Sequence, residues 1–139
     1  MQEFKTAATD ENLNAVLGFV NEQMDTVGFS LKTQMQMEVA VEELYVNIAH
    51  YAYVPGVGDA TIRVEVGEDS EKKTVSVTFI DKGIPYNPLE KEDPDVTLSA
   101  EERGIGGLGI YMVKKSMDSV EYVFKDDQNI LTITKTEAI

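Results

Sequence analysis

The glycines of this chain are concentrated in one short segment, which constrains the fold more than any other feature. Four of the ten glycines fall between positions 104 and 109, directly before an apolar run with helical spacing. Glycine lets the backbone turn tightly and approach a ligand closely. The first turn of a helix offers unpaired N–H groups and the positive end of the helix dipole. This junction is therefore suited to binding a phosphate group.

The letters of this segment also fit a dinucleotide-binding fingerprint. Residues 104–109, GIGGLG, match G-x-G-x-x-G, but in that fingerprint the glycines follow a strand. Here they follow an acidic loop far from the N-terminus. The other common phosphate motif, G-x-x-x-x-G-K-[ST], is absent. By itself the segment thus indicates an anion site without identifying the ligand.

Length and composition indicate one globular domain over residues 1–139. With 42% apolar and 8% aromatic residues, the chain can bury a single substantial core. No apolar run approaches the ~20 residues that a membrane-spanning helix needs. The N-terminus lacks the pattern of a secretory signal and the chain has no cysteine, so we expect a cytoplasmic location.

The charge of the chain restricts its partners. Twenty-five acidic and twelve basic residues give a net charge of −13. This charge repels nucleic-acid phosphates and anionic membrane surfaces, so we expect neither as a partner. A nucleotide such as ATP would need magnesium and local positive groups to offset the same repulsion.

Apolar spacing predicts the order of secondary-structure elements. Residues 2–7 are predicted as an edge strand, and a helix ending at Gly28 follows. Ser30 is predicted to cap a second helix that extends to about Tyr53. Its apolar stripe consists of Met37, Val41, Leu44, Ile48 and Tyr51.

The second half of the chain predicts two hairpins around a helix. Residues 60–66 and 74–80 alternate apolar and polar side chains, which predicts a hairpin. Residues 120–125 and 130–135 are predicted as two further strands, joined by a turn at residues 126–129. The helix after the glycines is predicted to be lined by Ile110, Met112, Val113 and Met117. This order predicts an α+β fold: a two-layer sandwich with a mostly antiparallel, mixed sheet and helices on one face.

Several polar features admit two interpretations. Ala40, Glu43, Asn47 and His50 share one edge of the second helix, which is either a solvated flank or the border of a ligand site. Asp81 either closes a strand through an Asx-type turn or presents a buried acid. Residues 87–103 contain six acidic residues and no clear periodicity, which predicts a long functional loop.

Three motifs in this order resemble the N, G1 and G2 boxes of the GHKL ATP-binding superfamily. They are residues 43–47 (ELYVN) on a helix, residues 81–88 (DKGIPYNP) after a strand, and residues 104–109 before a helix. With the tail at residues 117–122 (MDSVEY), they are similar to the small anti-sigma factor serine kinases of the sporulation and general-stress type. The likeness covers essentially the whole chain and implies the histidine-kinase-like ATPase fold, with ATP and Mg²⁺ as cofactors.

The resemblance implies roles for the residues of the N and G1 boxes. Asn47 would coordinate Mg²⁺ through its amide oxygen. Asp81 would accept a hydrogen bond from the exocyclic amine of adenine, and Gly83 would let the ring approach. Tyr86 belongs to the same motif and is included among the ATP-binding residues. Glu43 would be the catalytic base acting on a substrate hydroxyl.

The glycine segment would form the phosphate end of the site. By resemblance, Gly107, Leu108 and Gly109 make the phosphate-binding turn, and Gly104 and Gly106 are hinges of a lid formed by the preceding loop.

Positive charge near the phosphates has three candidates. Arg103 resembles a lid arginine of the kinase branch, where a guanidinium offsets phosphate charge. Lys82 and Lys114 are secondary candidates, with solvated surface charges as the equal alternative. His50 stands three residues after Asn47 instead of at the spacing that many such kinases carry, so we interpret it as a packed or edge histidine.

Two functions follow from the resemblance. The first is an ATP-dependent protein serine/threonine kinase that phosphorylates a small anti-sigma factor antagonist and sequesters a sigma factor, as a homodimer. The second is a nucleotide-dependent partner-switching module with little or no phosphotransfer. An ATPase of the gyrase or heat-shock chaperone type is disfavoured, because those proteins need further domains for hydrolysis to drive.

Overall fold

Among the described residues, five strands form one antiparallel sheet. The computed structural model describes residues 1–90 and 108–139. The strands are β1 (Gln2–Ala7), β2 (Asp59–Glu68), β3 (Lys72–Asp81), β4 (Ser119–Lys125) and β5 (Gln128–Ala138). Their order is β1-β2-β3-β5-β4, and every neighbouring pair is antiparallel. The predicted α+β fold is confirmed, with β1 at an edge of the sheet as the sequence indicates. The sheet was predicted to be mixed, but the described strands are all antiparallel, because the β4–β5 hairpin returns β5 beside β3 in the opposite direction.

Three helices accompany the sheet in the part of the chain that the structure describes. They are α1 (Leu13–Asp25), α2 (Leu31–Asn47) and α3 (Leu108–Ser116). Short turns of other helical types are a 3₁₀ turn before α1 (Asp10–Asn12), a π-helical turn after α2 (Ile48–Ala52) and a second 3₁₀ turn (Pro88–Glu90). Within residues 1–90 and 108–139, no helix has the length and apolar character needed to cross a membrane.

The apolar core lies between the helices and one face of the sheet. Side chains of a strand alternate between its faces, so Ile62, Phe79 and Leu131 form one inward-facing row across β2, β3 and β5. The helices add Val16, Val20, Met24, Met37, Val41 and Leu44. The opposite face carries hydroxyl groups, such as Thr78 and Thr132, whose Oγ1 atoms are 3.0 Å apart. The described helices therefore cover one face, as predicted.

Two residues predicted for the core lie on the surface. Tyr51 is 62% exposed because regular α-helix ends at Asn47 and the wider π-helical turn follows. A spacing of three or four residues no longer returns to the same face there. Met112 is 51% exposed because it lies about 200° around α3 from the buried Ile110.

A carboxylate from the last strand binds the N-terminus of α2. Ser30 is the N-cap residue, as predicted, and its Oγ accepts a hydrogen bond from the Thr33 N–H at 3.2 Å. Glu137 in β5 accepts hydrogen bonds from Ser30 Oγ at 2.5 Å and from Thr33 Oγ1 at 2.6 Å. These bonds hold the pKa of Glu137 below its usual value, and the bond from the Ser30 hydroxyl has the largest effect. The charged form of Glu137 thus joins α2 to the sheet.

We expect Glu137→Gln to lower the melting temperature at neutral pH, because a neutral amide accepts weaker hydrogen bonds at this helix terminus. The folded-state pKa is lowered, so the stabilisation is present above the unfolded-state pKa of about 4.3 and is lost as the pH falls through the folded pKa. Thermal unfolding from about pH 7 to about pH 3 should show the Tm difference between wild type and variant closing at the acid end.

Glu65→Gln is the matched control, since Glu65 is exposed on β2 and its side chain makes no hydrogen bond to the described residues. A Tm difference for Glu137→Gln that equals the control, or that persists below the folded pKa, would contradict the role of this carboxylate.

Candidate functional site

A cavity of about 540 Å³ opens at the end of the sheet where β3 finishes and β5 begins. Its apolar lining comes from the helices, the sheet and the loop after β3, and includes Leu44, Ile48, Phe79, Ile84, Ile110 and Leu131. Its polar lining comes from Glu43, Asn47, Asp81, Tyr86, Tyr122 and Asn129. Mostly apolar walls with a few polar groups are typical of a small-molecule site, and this volume suits one.

Four of the residues singled out in the sequence line this cavity. Glu43 and Asn47 reach it from α2, Asp81 from the end of β3, and Tyr86 from the loop after β3. These residues come from two motifs that are more than thirty positions apart in the chain. Glu43 and Asn47 thus lie at the border of a cavity, and their binding roles stay predictions.

The glycine segment is described only at its end. Leu108 is the first residue of α3, and Gly109 follows it. A Cβ added at Gly109 would overlap the carboxylate of Glu43, so the first turn of α3 lies directly against that side chain. Arg103, Gly104, Gly106 and Gly107 lie outside the described residues.

Asp81 continues the inward-facing row of β3. Val77, Phe79 and Asp81 are two residues apart, so the acid lies on the face that the helices cover, and it is only 7% exposed. Its Oδ1 accepts hydrogen bonds from the Gly83 N–H at 2.9 Å and from Asn129 Nδ2 at 3.0 Å. The first of these bonds closes the Asx-type turn considered for this position. Oδ2 accepts no hydrogen bond from the described residues.

Asn129 is a site residue that the sequence patterns did not identify. The sequence placed it in a turn, whereas β5 begins at Gln128 and pairs Asn129 with Asp81 across the ladder. Its Nδ2 also donates to the carbonyl of Ile84 at 2.9 Å, and its Oδ1 accepts from the Tyr86 N–H at 3.1 Å and from the Tyr122 hydroxyl. Extending the alternation back from Leu131 would have placed Asn129 on the inner face.

The loop after β3 docks closely on the π-helical turn. The Ile84 N–H donates to the Ala52 carbonyl at 3.0 Å, and a Cβ at Gly83 would overlap that carbonyl and the Ala52 Cβ. The Tyr53 hydroxyl accepts from the Lys82 N–H at 2.8 Å and donates to the Asp59 carbonyl at 2.6 Å. These contacts give Gly83 a structural role besides its predicted role at the ligand.

The remaining candidates lie away from the cavity lining. His50 is exposed, and its Nε2 pairs with the carboxylate of Asp10 at 2.8 and 2.9 Å, which agrees with the edge interpretation. Lys82 and Lys114 are not among the lining residues in the described part of the chain.

The lining residues fit a magnesium ion that is shared with a ligand. Within residues 1–90 and 108–139, acidic, histidine and cysteine side chains form no group of three or more that could hold a metal on its own. Mg²⁺ is usually bound by one or two protein oxygen ligands together with substrate phosphates and water. Asn47 offers an amide oxygen at the cavity, with Glu43 about one helical turn away.

Comparison with known proteins identifies the family. The profile of the histidine kinase-like ATPase domain matches residues 6–135. The chain belongs to this family. The resemblance seen in the three motifs is therefore confirmed at the level of the whole chain.

Individual relatives agree with this assignment. Serine/threonine-protein kinase BtrW from Bordetella bronchiseptica is 26% identical over 110 residues, which cover 79% of this chain and 75% of that protein. Serine-protein kinase RsbW from Bacillus mycoides is 27% identical over 109 residues, which cover 76% of this chain and 66% of that protein. A chain in the crystal structure of the SiaB-SiaC complex from Pseudomonas aeruginosa has the same fold, with a TM-score of 0.59 at 14% identity, over 99% of this chain and 90% of that chain.

We expect Gly83→Ala to destabilise the protein by about 1–3 kcal/mol, because the added Cβ would overlap the Ala52 backbone and push the loop away from the cavity. Denaturant unfolding measures the loss. Gly67→Ala is the matched control, since a Cβ there meets no atom within 4 Å. Equal stability of the two variants would show that the Gly83–Ala52 contact is not a close one in solution.

Proposed function

We propose that this chain binds ATP with Mg²⁺ in the cavity and transfers phosphate to a serine or threonine of a partner protein. The observation that carries the proposal is the buried Asp81 carboxylate, which lines a mostly apolar cavity and whose Oδ2 accepts no hydrogen bond from the described residues. Such an acceptor suits the exocyclic amine of adenine and opposes guanine, which has a carbonyl at that position. Unpaired buried polar groups make this kind of rejection strong.

The phosphate end of the site is assigned to the part of the cavity lined by α2 and the first turn of α3. Glu43 and Asn47 line the cavity there, and the first turn of α3 at Gly109 lies against Glu43. Backbone N–H groups at this turn would bind phosphate oxygens, together with Gly107 and Leu108. No lysine or arginine lines the cavity in residues 1–90 and 108–139, so we assign the offsetting charge to Mg²⁺ and to Arg103. Gly104 and Gly106 stay predicted lid hinges.

The chemistry requires little from the protein besides positioning. Bound ATP with Mg²⁺ supplies the transferable γ-phosphoryl group. Asn47 holds the metal, and Glu43 orients the partner hydroxyl and takes its proton as the new oxygen–phosphorus bond forms and ADP leaves. Glu43 is half-buried at the cavity, whereas the neighbouring Glu42 is exposed to solvent. The helix thus separates a carboxylate inside the site from one outside it.

The partners follow from the relatives and from the charge of the chain. The relatives BtrW and RsbW are named as serine or serine/threonine protein kinases. By this likeness we assign a small anti-sigma factor antagonist as the substrate and a sigma factor as the partner that is sequestered, with the chain acting as a homodimer in the cytoplasm. A net charge of −13 favours association with a basic partner surface.

We expect Glu43→Gln to lower the rate of phosphotransfer by about 100-fold or more, because the amide cannot accept the hydroxyl proton. ATP affinity should change by less than about threefold, since Glu43 is not assigned to the adenine end. The assay captures partners from native cell lysate with MgATP and follows phosphoserine or phosphothreonine on the captured protein.

Glu42→Gln is the control for this assay and should transfer phosphate like the wild type, because Glu42 points away from the cavity. If the captured partners bind but are phosphorylated by neither the wild type nor the variant, the kinase proposal is contradicted. The chain would then be a nucleotide-dependent partner-switching module.

We expect Asp81→Asn to weaken ATP binding by about 10- to 100-fold, because a charged hydrogen-bond acceptor for the adenine amine is lost. Calorimetry at fixed Mg²⁺ measures the dissociation constant. Asp69→Asn is a matched control: Asp69 also closes an Asx-type turn, with its Oδ1 2.8 Å from the Glu71 N–H, but it lies in the β2–β3 turn. An unchanged affinity of the Asp81 variant would remove this residue from the site.

A further inference from the structure

We infer that Asn129, held in place by Tyr122, is the positioning residue that makes this site selective for a purine with a 6-amino group. It would act by determining which oxygen of Asp81 a ligand meets. The inference rests on the proposed nucleotide site and adds to it the origin of its base selectivity.

The two side chains are joined by the register of the sheet. Asp81 ends β3 and pairs directly with Asn129 at the start of β5. Both are inward-facing and nearly buried, at 7% and 6% exposure. The Nδ2 of Asn129 lies 3.0 Å from the Oδ1 of Asp81. Burying a carboxylate is unfavourable unless hydrogen bonds replace the water that it loses. The contact with Asn129 therefore offsets part of the cost of burying Asp81.

The amide of Asn129 has a single favourable orientation. Its Oδ1 faces two donors, the N–H of Tyr86 at 3.1 Å and the hydroxyl of Tyr122. Its Nδ2 faces two acceptors, Asp81 Oδ1 and the carbonyl of Ile84 at 2.9 Å. A reversed amide would place donor against donor and oxygen against carboxylate. The donor side of Asn129 is therefore always turned toward Asp81.

Tyr122 secures this orientation. It lies on β4, opposite Leu131 of β5, and its hydroxyl donates to Asn129 Oδ1. Burial, together with the charges of Asp81 and Glu90, raises the pKa of the Tyr122 hydroxyl above its usual value. The hydroxyl thus remains a protonated donor at neutral pH.

The orientation of Asn129 determines which oxygen of Asp81 is already hydrogen-bonded. Its Oδ1 accepts from Asn129 and from the Gly83 N–H at 2.9 Å, so both contacts use the same oxygen. Oδ2 is the oxygen that remains for a ligand. The same amide also holds the backbone of Ile84 and Tyr86, whose side chains line the cavity. One side chain thus sets both the acceptor and the wall beside it.

This role differs from simple support of the core in a measurable way. If Asn129 only supported the core, its loss would weaken the binding of all nucleotides by the same factor. If it orients Asp81, its loss would weaken the binding only of nucleotides that carry the 6-amino group. Purine ribonucleoside 5′-triphosphate has the ring, ribose and phosphates of ATP but lacks the 6-amino group, so it isolates this difference.

The experiment measures dissociation constants for ATP and for purine ribonucleoside 5′-triphosphate by calorimetry with Mg²⁺. Wild type should favour ATP by about 10- to 100-fold, which is the range for one hydrogen bond to a charged group. Asn129→Leu should reduce this preference to below about threefold, mainly through weaker ATP binding. A preference that stays at the wild-type value in Asn129→Leu would overturn the inference.

Two further variants complete the test. Tyr122→Phe removes only the hydroxyl, so it remains informative if Asn129→Leu does not fold, as judged by circular dichroism. It should lower the preference for ATP by about threefold or more, and an equal weakening of both nucleotides would overturn the inference. Asn12→Leu is the matched control. The Nδ2 of Asn12 donates to the Ala7 carbonyl at a distance of 2.9 Å, and neither residue lines the cavity, so the preference for ATP should be unchanged. Wild type that binds neither nucleotide would refute the proposed site itself.

Discussion

The hydrogen bond between Asn129 and Asp81 is the interaction on which the cavity depends. A carboxylate at the end of an apolar strand face would be strongly unfavourable without polar partners. Asn129 and the Gly83 N–H supply those partners on one oxygen. Because both donors act on the same oxygen, Oδ2 accepts no hydrogen bond from the described residues. Asn129 also binds the backbone of the loop after β3, at the Ile84 carbonyl and the Tyr86 N–H.

The core and the candidate site are two parts of the same sheet face. The apolar row of Ile62, Phe79 and Leu131 is followed, one step along β3 and β5, by the polar pair of Asp81 and Asn129. Helix α2 covers the apolar part and reaches the polar part with Glu43 and Asn47. Regular helix ends at Asn47, and the π-helical turn then provides the backbone on which the β3 loop docks.

Much of the fold could be predicted from local patterns. Side chains alternate in β2 and β3, and apolar residues have helical spacing in α1 and α2. Both patterns arise because each element buries one face, and both can be read directly from the sequence. The errors at Tyr51 and Met112 arose where a regular period was extended too far. A π-helical turn changes the period, and in a short helix one apolar residue can face solvent at little cost.

The sequence by itself determined the order of elements, the family and four residues at the cavity, because each motif is a contiguous pattern that keeps its meaning without its neighbours. Only the tertiary structure decided the roles of Asn129 and Tyr122, the docking of Gly83 on Ala52, and the contact of Gly109 with Glu43. Asn129 and Asp81 are 48 residues apart. Their pairing depends on strand register, which is determined by the packing of the whole apolar face and has no local signal.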